Sequence, residues 1–233
     1  MKIFKIFFAI FVLTISSCAP AYIPNAINAP LLNNKGETQL SFHGGMGGLD
    51  EQTSFAVSKN IALMANFNYL NDTKDSDQTY HKHIFGEAGI GYYFKSNSKI
   101  HFETFAGFGL GKVDVKTYFW SSEIITKCQN KRIFLQPTVG FSSELVDFSF
   151  TPRFVYVIMK PEYLQYSTVN YPFLEPTVAF RLGYKYFFFT SQFGISLPLT
   201  KLNNNDWFNY QPIIFSIGIT VKLFKIYDTQ SMN

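Results

Sequence analysis

His81 and His83 stand one residue apart, Glu87 shares their parity, and Asp75 and Asp77 lie just upstream. Alternate side chains of a strand point to one face, so a His-x-His pair can offer two imidazoles to a transition metal. No third ligand follows at a defined spacing, and solvated loop histidines are the expectation. Glu87 and Glu103 suggest a second chemistry, the paired carboxylates of a hydrolase. Arginines on the same face would hold both ionised, which disfavours a general acid, so no catalytic residue is assigned. A lipid-modifying hydrolase would need Ser, His and an acid on the outward face, and these histidines fall on the inward one. Gly44-Gly45-Met46-Gly47-Gly48 has neither the helix nor the Lys of a phosphate loop after it, and is expected to be a flexible hairpin tip.

The clearest modification chemistry belongs to Cys18. Lys2 and Lys5 precede an apolar run from Ile6 to Ile15, then Ser16, Ser17 and Cys18. A basic start, a short apolar core and small residues make a secretory signal, too short to span a bilayer as a helix. Ile15-Ser16-Ser17-Cys18 resembles a bacterial lipobox, in which cleavage before the Cys leaves it to carry covalent acyl chains. Each buried methylene contributes about 0.8 kcal/mol, so a multiply acylated Cys18 would hold the chain on a membrane. Cys128, the other cysteine, would then be a lone thiol in a polar loop, with no internal disulfide available.

The elements that must position these residues are strands. From Ile100 to Gly111, Ile100, Phe102, Ala106, Phe108 and Leu110 share one parity, and His101, Glu103 and a series of glycines the other. Candidate strands run roughly Glu37–Gly45, Gln52–Ser58, Ile61–Leu70, His83–Phe94, Lys99–Val113, Arg132–Ser143, Val146–Ile158, Phe173–Tyr184, Tyr186–Leu197 and Pro212–Phe224. From Ile61 onward, long links (Asn71–Lys82, Asp114–Lys131, Met159–Pro172, Pro198–Gln211) alternate with tight ones such as Lys59-Asn60 and Glu144-Leu145. Outer-membrane barrels sort their connections in this way, with short periplasmic turns and longer extracellular loops. Aromatic residues make up 18% and charged residues 15% of the 233, against about a quarter charged in a soluble domain. No segment after the signal offers the roughly 18 apolar residues of a spanning helix. The net charge of +4 comes from scattered lysines and does not imply nucleic acid.

Phasing the strands gives an apolar outward set that includes Ile133, Leu135, Phe148, Phe150, Phe154, Phe180, Phe189, Phe193, Phe215 and Ile217. The other face holds Glu87, Glu103, Arg132, Gln136, Arg153, Glu175, Arg181 and Gln192. An Arg facing lipid at mid-depth costs about 2–4 kcal/mol, and every strand Arg falls on the inner parity. Hairpin pairing puts Gln136 beside Arg153, with Glu87 and Glu175 at a similar height and Glu103 and Arg181 nearer the tight turns. These groups should pair as a network that largely fills a narrow lumen. Gly89, Gly91, Gly107, Gly109 and Gly111 should make room there for long side chains. Pro137, Pro176 and Pro212, in three related segments, suggest bulges or bends.

Tyr22-Ile23-Pro24-Asn25, Pro30-Leu31-Leu32, Lys35-Gly36-Glu37-Thr38-Gln39-Leu40-Ser41 and Ala56-Val57-Ser58-Lys59-Asn60-Ile61-Ala62-Leu63-Met64-Ala65-Asn66 resemble an outer-membrane β-barrel lipoprotein family of Bacteroidota. The resemblance covers the first third best. It implies the fold and compartment but no activity, so no functional residue carries over. The segment after Cys18 lacks the acidic run of that phylum's surface-exported lipoproteins, which implies a lipid in the inner leaflet.

The sequence thus predicts an all-β, antiparallel up-and-down transmembrane barrel of about ten strands, eight being the smaller alternative. Residues 1–17 are expected to be the signal peptide, 18–36 the lipidated Cys and an extended tether, 37–224 the barrel and 225–233 a periplasmic tail. Both termini are expected on the periplasmic side of the outer membrane. The expected partners are outer-membrane lipid, the acyl chains on Cys18, and an extracellular ligand or protein at the long loops. Trp120, Tyr163, Tyr166, Trp207 and Tyr210 lie in those loops, as recognition surface or interfacial girdle. No cofactor, metal or enzymatic role is assigned. A narrow solute or ion channel and a soluble periplasmic lipid-binding barrel are the alternatives.

Overall fold

The computed structural model describes residues 20–74, 79–95, 99–119, 122–162, 167–203 and 207–223. Cys18, Asp75, Asp77, Trp120, Tyr163, Tyr166 and the expected tail lie outside them. The strands are β1 (Thr38–Gly45), β2 (Gly48–Ala56), β3 (Ile61–Lys74), β4 (Thr79–Lys95), β5 (Ile100–Phe119), β6 (Ser122–Ser142), β7 (Val146–Pro161), β8 (Val169–Tyr184), β9 (Phe187–Ile195), β10 (Leu197–Pro198) and β11 (Ile213–Leu223). Each of β1 to β8 pairs antiparallel with the strand that follows it, β9 also pairs with β11, and β11 pairs with β1. The two-residue β10 continues β9 past Ser196 in the same register against β8. The result is a closed antiparallel barrel of ten strands, in which every strand has a partner on both sides.

The alternation locates the strands, but three of the expected long links are wrong. Asp114–Lys131 is mostly strand, because β5 and β6 stay paired out to Phe119↔Ser122. Asn71–Lys82 likewise pairs to Lys74↔Thr79, and much of Met159–Pro172 belongs to β7 and β8. Polar composition suggested loops there, yet these residues reverse the sidedness of the barrel without breaking its alternation. The expected bulges at Pro137 and Pro176 are also absent. Leu135↔Phe154 and Val139↔Phe150 flank Pro137 in one unbroken register, and Pro176 faces Pro152. A proline removes a ladder donor but need not add a residue. Pro212 precedes β11 rather than lying in it.

The reversal is plain along β5 to β8. Near the tight turns and mid-strand, outward residues are Phe102, Phe108, Leu110, Ile133, Leu135, Phe148, Phe150, Phe154, Phe180 and Leu182, all exposed. Inward residues at the same heights are His101, Glu103, Arg132, Gln136, Arg153, Glu175 and Arg181, all buried. Further along the same strands the inward residues become Val113, Val115, Cys128, Val155, Val157, Met159, Val169, Tyr171 and Phe173, all buried. There the outward residues Lys112, Gln129, Lys131, Lys160 and Asn170 are exposed. Among the described residues no helix or second sheet covers the apolar outward band. Glu51 also faces outward within it, between Phe42 and Phe67, where a carboxylate costs less than an Arg.

Residues 20–34, expected as a tether outside the barrel, are extended but run inside it. Positions 21–32 are all buried. Tyr22 bonds to Asn209 and Gln211 at the long-hairpin end, and Asn33 and Asn34 donate to Glu37 at the tight-turn end. A barrel of about eight strands is just filled by its own side chains, and two further strands leave room for an extended backbone. The expectation that both chain ends lie on one side rests on an even number of crossings. With the inner pass added, the described chain begins beside Asn209 and ends at Leu223, beside Thr38 at the opposite rim.

Candidate functional site

The interior is built from the inward parity of every strand, and the eight inner residues expected from sequence are all there. Arg153, fully buried, donates to Glu87 Oε2 at 2.7 Å and lies over the Phe134 ring, 4.5 Å from its centroid. Asn66 Nδ2 and Asn25 Nδ2 donate to the other oxygen of Glu87 at 2.8 and 3.2 Å. Arg153 also faces Glu175 across β7 and β8. Glu175 accepts from the Tyr22 hydroxyl at 2.5 Å and from Ser196 at 3.1 Å. Burial of this many charges is tolerable only with such pairing.

The expected network falls into two groups rather than one. Nearer the tight turns, Asp147 accepts from Lys222 at 2.6 Å, from Arg181 at 3.3 Å and, on its other oxygen, from Ser142 at 2.6 Å. Arg181 also donates to the Ala29 carbonyl. Asp147 and Lys222 were missed by sequence reasoning, although both share the inner parity of their strands. Glu103 is not paired with a side chain: it accepts from the backbone N–H of Leu31 at 3.1 Å.

Most of the remaining inner groups serve the enclosed segment. Gln192 makes a two-way pair with Ile27, accepting from its N–H at 2.9 Å and donating to its carbonyl at 2.8 Å. Gln136 donates to the Asn28 carbonyl at 2.6 Å, and Gln52 to that of Ala26 at 2.8 Å. Arg132 donates to Asn25 Oδ1 at 2.8 Å and to the Ile23 carbonyl at 2.9 Å. Its guanidinium lies 3.9 Å from the Phe85 centroid and 4.7 Å from that of Tyr22. The barrel thus supplies to an extended backbone the partners that a neighbouring strand would give. Phe85, Phe105 and Phe134 lie across Gly109, Gly91 and Gly107, where a Cβ would collide with them; these rings use the expected room.

At the long-hairpin end an aromatic cluster closes over the segment. Tyr22 packs 4.9 Å from Phe173, Phe173 packs 5.3 Å from Tyr210, and Phe208 packs 4.9 Å from Tyr171. Tyr22 also forms a one-residue parallel bridge to Tyr210. Trp207 and Tyr210, expected as loop surface or girdle, instead pack against this buried cluster.

The two histidines and the two carboxylates singled out above are each engaged inside the barrel. His81 and His83 are buried, not solvated. Their ring nitrogens meet each other at 2.9 Å, and His83 Nε2 meets Asn68 and the Gly47 carbonyl. No three His, Cys, Asp or Glu side chains among the described residues form a metal-holding group. Glu87 and Glu103 are engaged by different partners, the first by Arg153, Asn66 and Asn25 and the second by the backbone of Leu31. The Gly44–Gly48 stretch is an ordered hairpin turn: Met46 donates to the Phe215 carbonyl at 3.0 Å, and Gly48 has a φ of 95°.

Cys128 sits in β6 with its side chain among Val113 and neighbouring inner residues, not in a polar loop. It is 1% exposed, so a maleimide should label it only after unfolding. Full labelling of the folded protein within minutes, read by mass spectrometry, would contradict this packing. No protein-family model matches this chain, and no curated protein matches it.

Proposed function

We propose that this chain is an outer-membrane β-barrel lipoprotein whose lumen is plugged by its own N-terminal segment, with a structural or surface-binding role and no enzymatic one. The carrying observation is the reversal of sidedness along β5 to β8. A water-soluble barrel keeps apolar residues inside along its whole length. Here, over most of the strand length, Phe and Leu face out and charges face in, and only beyond Leu110, Ile133 and Tyr156 does the ordinary arrangement return. A layer of hydrocarbon about 25 Å tall around the lower barrel, with water around the upper extension, accounts for both halves. Exposed Lys112, Lys131 and Lys160 then stand at the membrane surface, where long cationic side chains are favoured.

The enclosed segment supports the plug. Its backbone is hydrogen-bonded along its length to the inner side chains Arg132, Gln52, Gln192, Gln136, Arg181 and Glu103, which hold it in the bore. A role at the long-hairpin end follows, since the extension beyond the band presents surface without a passage behind it.

The test is a planar bilayer recording of the purified full-length protein, together with sucrose-gradient fractionation of the native membrane. Silence in the bilayer and recovery in the outer-membrane fraction fit the proposal; steady ion-selective steps from the full-length protein support a channel instead. A substitution tests the band directly. Phe193 is exposed and faces Val178 and Phe215 in register. Phe193→Arg should destabilise the refolded barrel by about 2–4 kcal/mol in lipid, measured by urea titration. An unchanged midpoint would show that water covers this face.

A further inference from the structure

The path of the inner segment fixes where its upstream end emerges. Tyr22 is held at the long-hairpin end by two backbone hydrogen bonds, Tyr22 N to the Asn209 carbonyl at 3.0 Å and Gln211 N to the Tyr22 carbonyl at 2.8 Å. Its hydroxyl is bonded to Glu175, its ring is stacked near Phe173, and Ala21 N donates to Asn209 Oδ1 at 2.7 Å. From there the chain descends through Asn25, Ile27 and Leu31 to Asn33, whose Oδ1 accepts from Lys95 at the tight-turn rim.

Cys18 precedes Tyr22 by four residues. An extended chain covers at most ~3.3–3.6 Å per residue, so Cys18 lies within about 14 Å of the Tyr22 Cα. The apolar band of such a barrel is ~25 Å tall. A Cys tethered this closely to the long-hairpin end cannot deliver acyl chains to a leaflet at the tight-turn end.

We infer that the acyl chains on Cys18 occupy the leaflet on the long-hairpin side, the outer leaflet, and that the mature N-terminus crosses the membrane through its own barrel. This rests on the lipoprotein and outer-membrane reading above and reverses the inner-leaflet position that the absent acidic run implies. The ligand class is hydrocarbon: two or three acyl chains inserted beside the outward band. The lipid and the long hairpins then share one side, while Leu223 ends on the other. The anchor holds the plug as well, since withdrawing the segment towards the tight-turn end would drag acyl chains into a polar lumen. Its hydrogen bonds with Arg132, Gln192 and Gln136 resist movement in the other direction.

Three epitope tags in the full chain test this. One is inserted between Ala19 and Pro20, one between Asp75 and Ser76 in the hairpin joining β3 and β4, and one after Asn233. Each tagged protein is first checked for the heat-modifiable gel mobility of a folded barrel. Protease added to intact cells should remove the first and second tags completely and spare the third. Sparing of the first tag while the second is lost, or joint loss of the first and third, overturns the inference. Alkyne-palmitate labelling with and without Cys18→Ser reads acylation separately. Absent labelling with the expected tag pattern would defeat the lipoprotein reading and leave the crossing intact. Normal labelling with the first tag spared would defeat the crossing alone.

Discussion

Arg153→Ala is expected to destabilise the barrel by about 3–5 kcal/mol, the usual loss when one partner of a buried ion pair is removed. Arg153 is 0% exposed, as is Glu175, and it forms a 2.7 Å ion pair with Glu87. Its removal leaves two buried carboxylates without their shared cation and withdraws a guanidinium from the Phe134 face. Neutralising the set together, with Glu87→Gln and Glu175→Gln added to Arg153→Met, should recover most of the loss, because no uncompensated charge remains. Urea unfolding of the refolded protein in lipid vesicles reads both variants. A loss below about 1 kcal/mol for the single substitution, the value of an exposed pair, would mean that water already fills the interior around Arg153.

The second large effect is a gain. Removal of residues 20–32 should turn a silent barrel into an ion-conducting one. Ten strands enclose more space than their side chains fill, and the surplus is occupied by Tyr22, Ile27, Leu31 and Leu32, all at most 2% exposed. Without them, Gln192, Gln136, Arg132 and Arg181 lose their backbone partners and are hydrated instead. Among the described residues, six buried carboxylates (Glu37, Asp50, Glu87, Glu103, Asp147 and Glu175) outnumber four buried cations (Arg132, Arg153, Arg181 and Lys222). The opened pore should therefore prefer cations, as pores lined by acidic side chains do. Reversal potentials in a potassium chloride gradient give the sign. A milder variant reaches the same end: a side chain at Gly140 would collide with Leu31, so Gly140→Phe should displace the lower part of the segment and produce intermittent opening. Silence of the folded deletion variant would show that inner side chains alone seal the lumen.

What could be read from the sequence follows from what alternates. Glu103, Arg153 and Arg181 were placed correctly because a two-residue period leaves each strand residue only two directions. Asp147 and Lys222 obey the same rule and needed only to be counted. The long hairpins are polar and so resemble loops in composition; Val113 and Val115, continuing the parity of Glu103 and Gly109, carry the contrary signal. The enclosed segment was hardest. A chain contacted on all sides has no apolar face and hence no period. Its signal was compositional: residues 20–34 contain no charged side chain but include Tyr22, Ile23, Ile27, Leu31 and Leu32, an unusual make-up for a tether in water.

The seam between β1 and β11 has a kinetic consequence. It joins Thr38 to Leu223, the most distant strand partners in the chain, so its loop-closure entropy is the largest to be met. All other neighbours except β9 and β11 are consecutive in the chain with few residues between them, and can form early. With the acyl chains proposed for Cys18, the N-terminal segment could not be threaded into a finished cylinder. On that proposal the growing sheet curls around the inner segment while still open, with that segment serving as a mandrel, and the seam zips shut last.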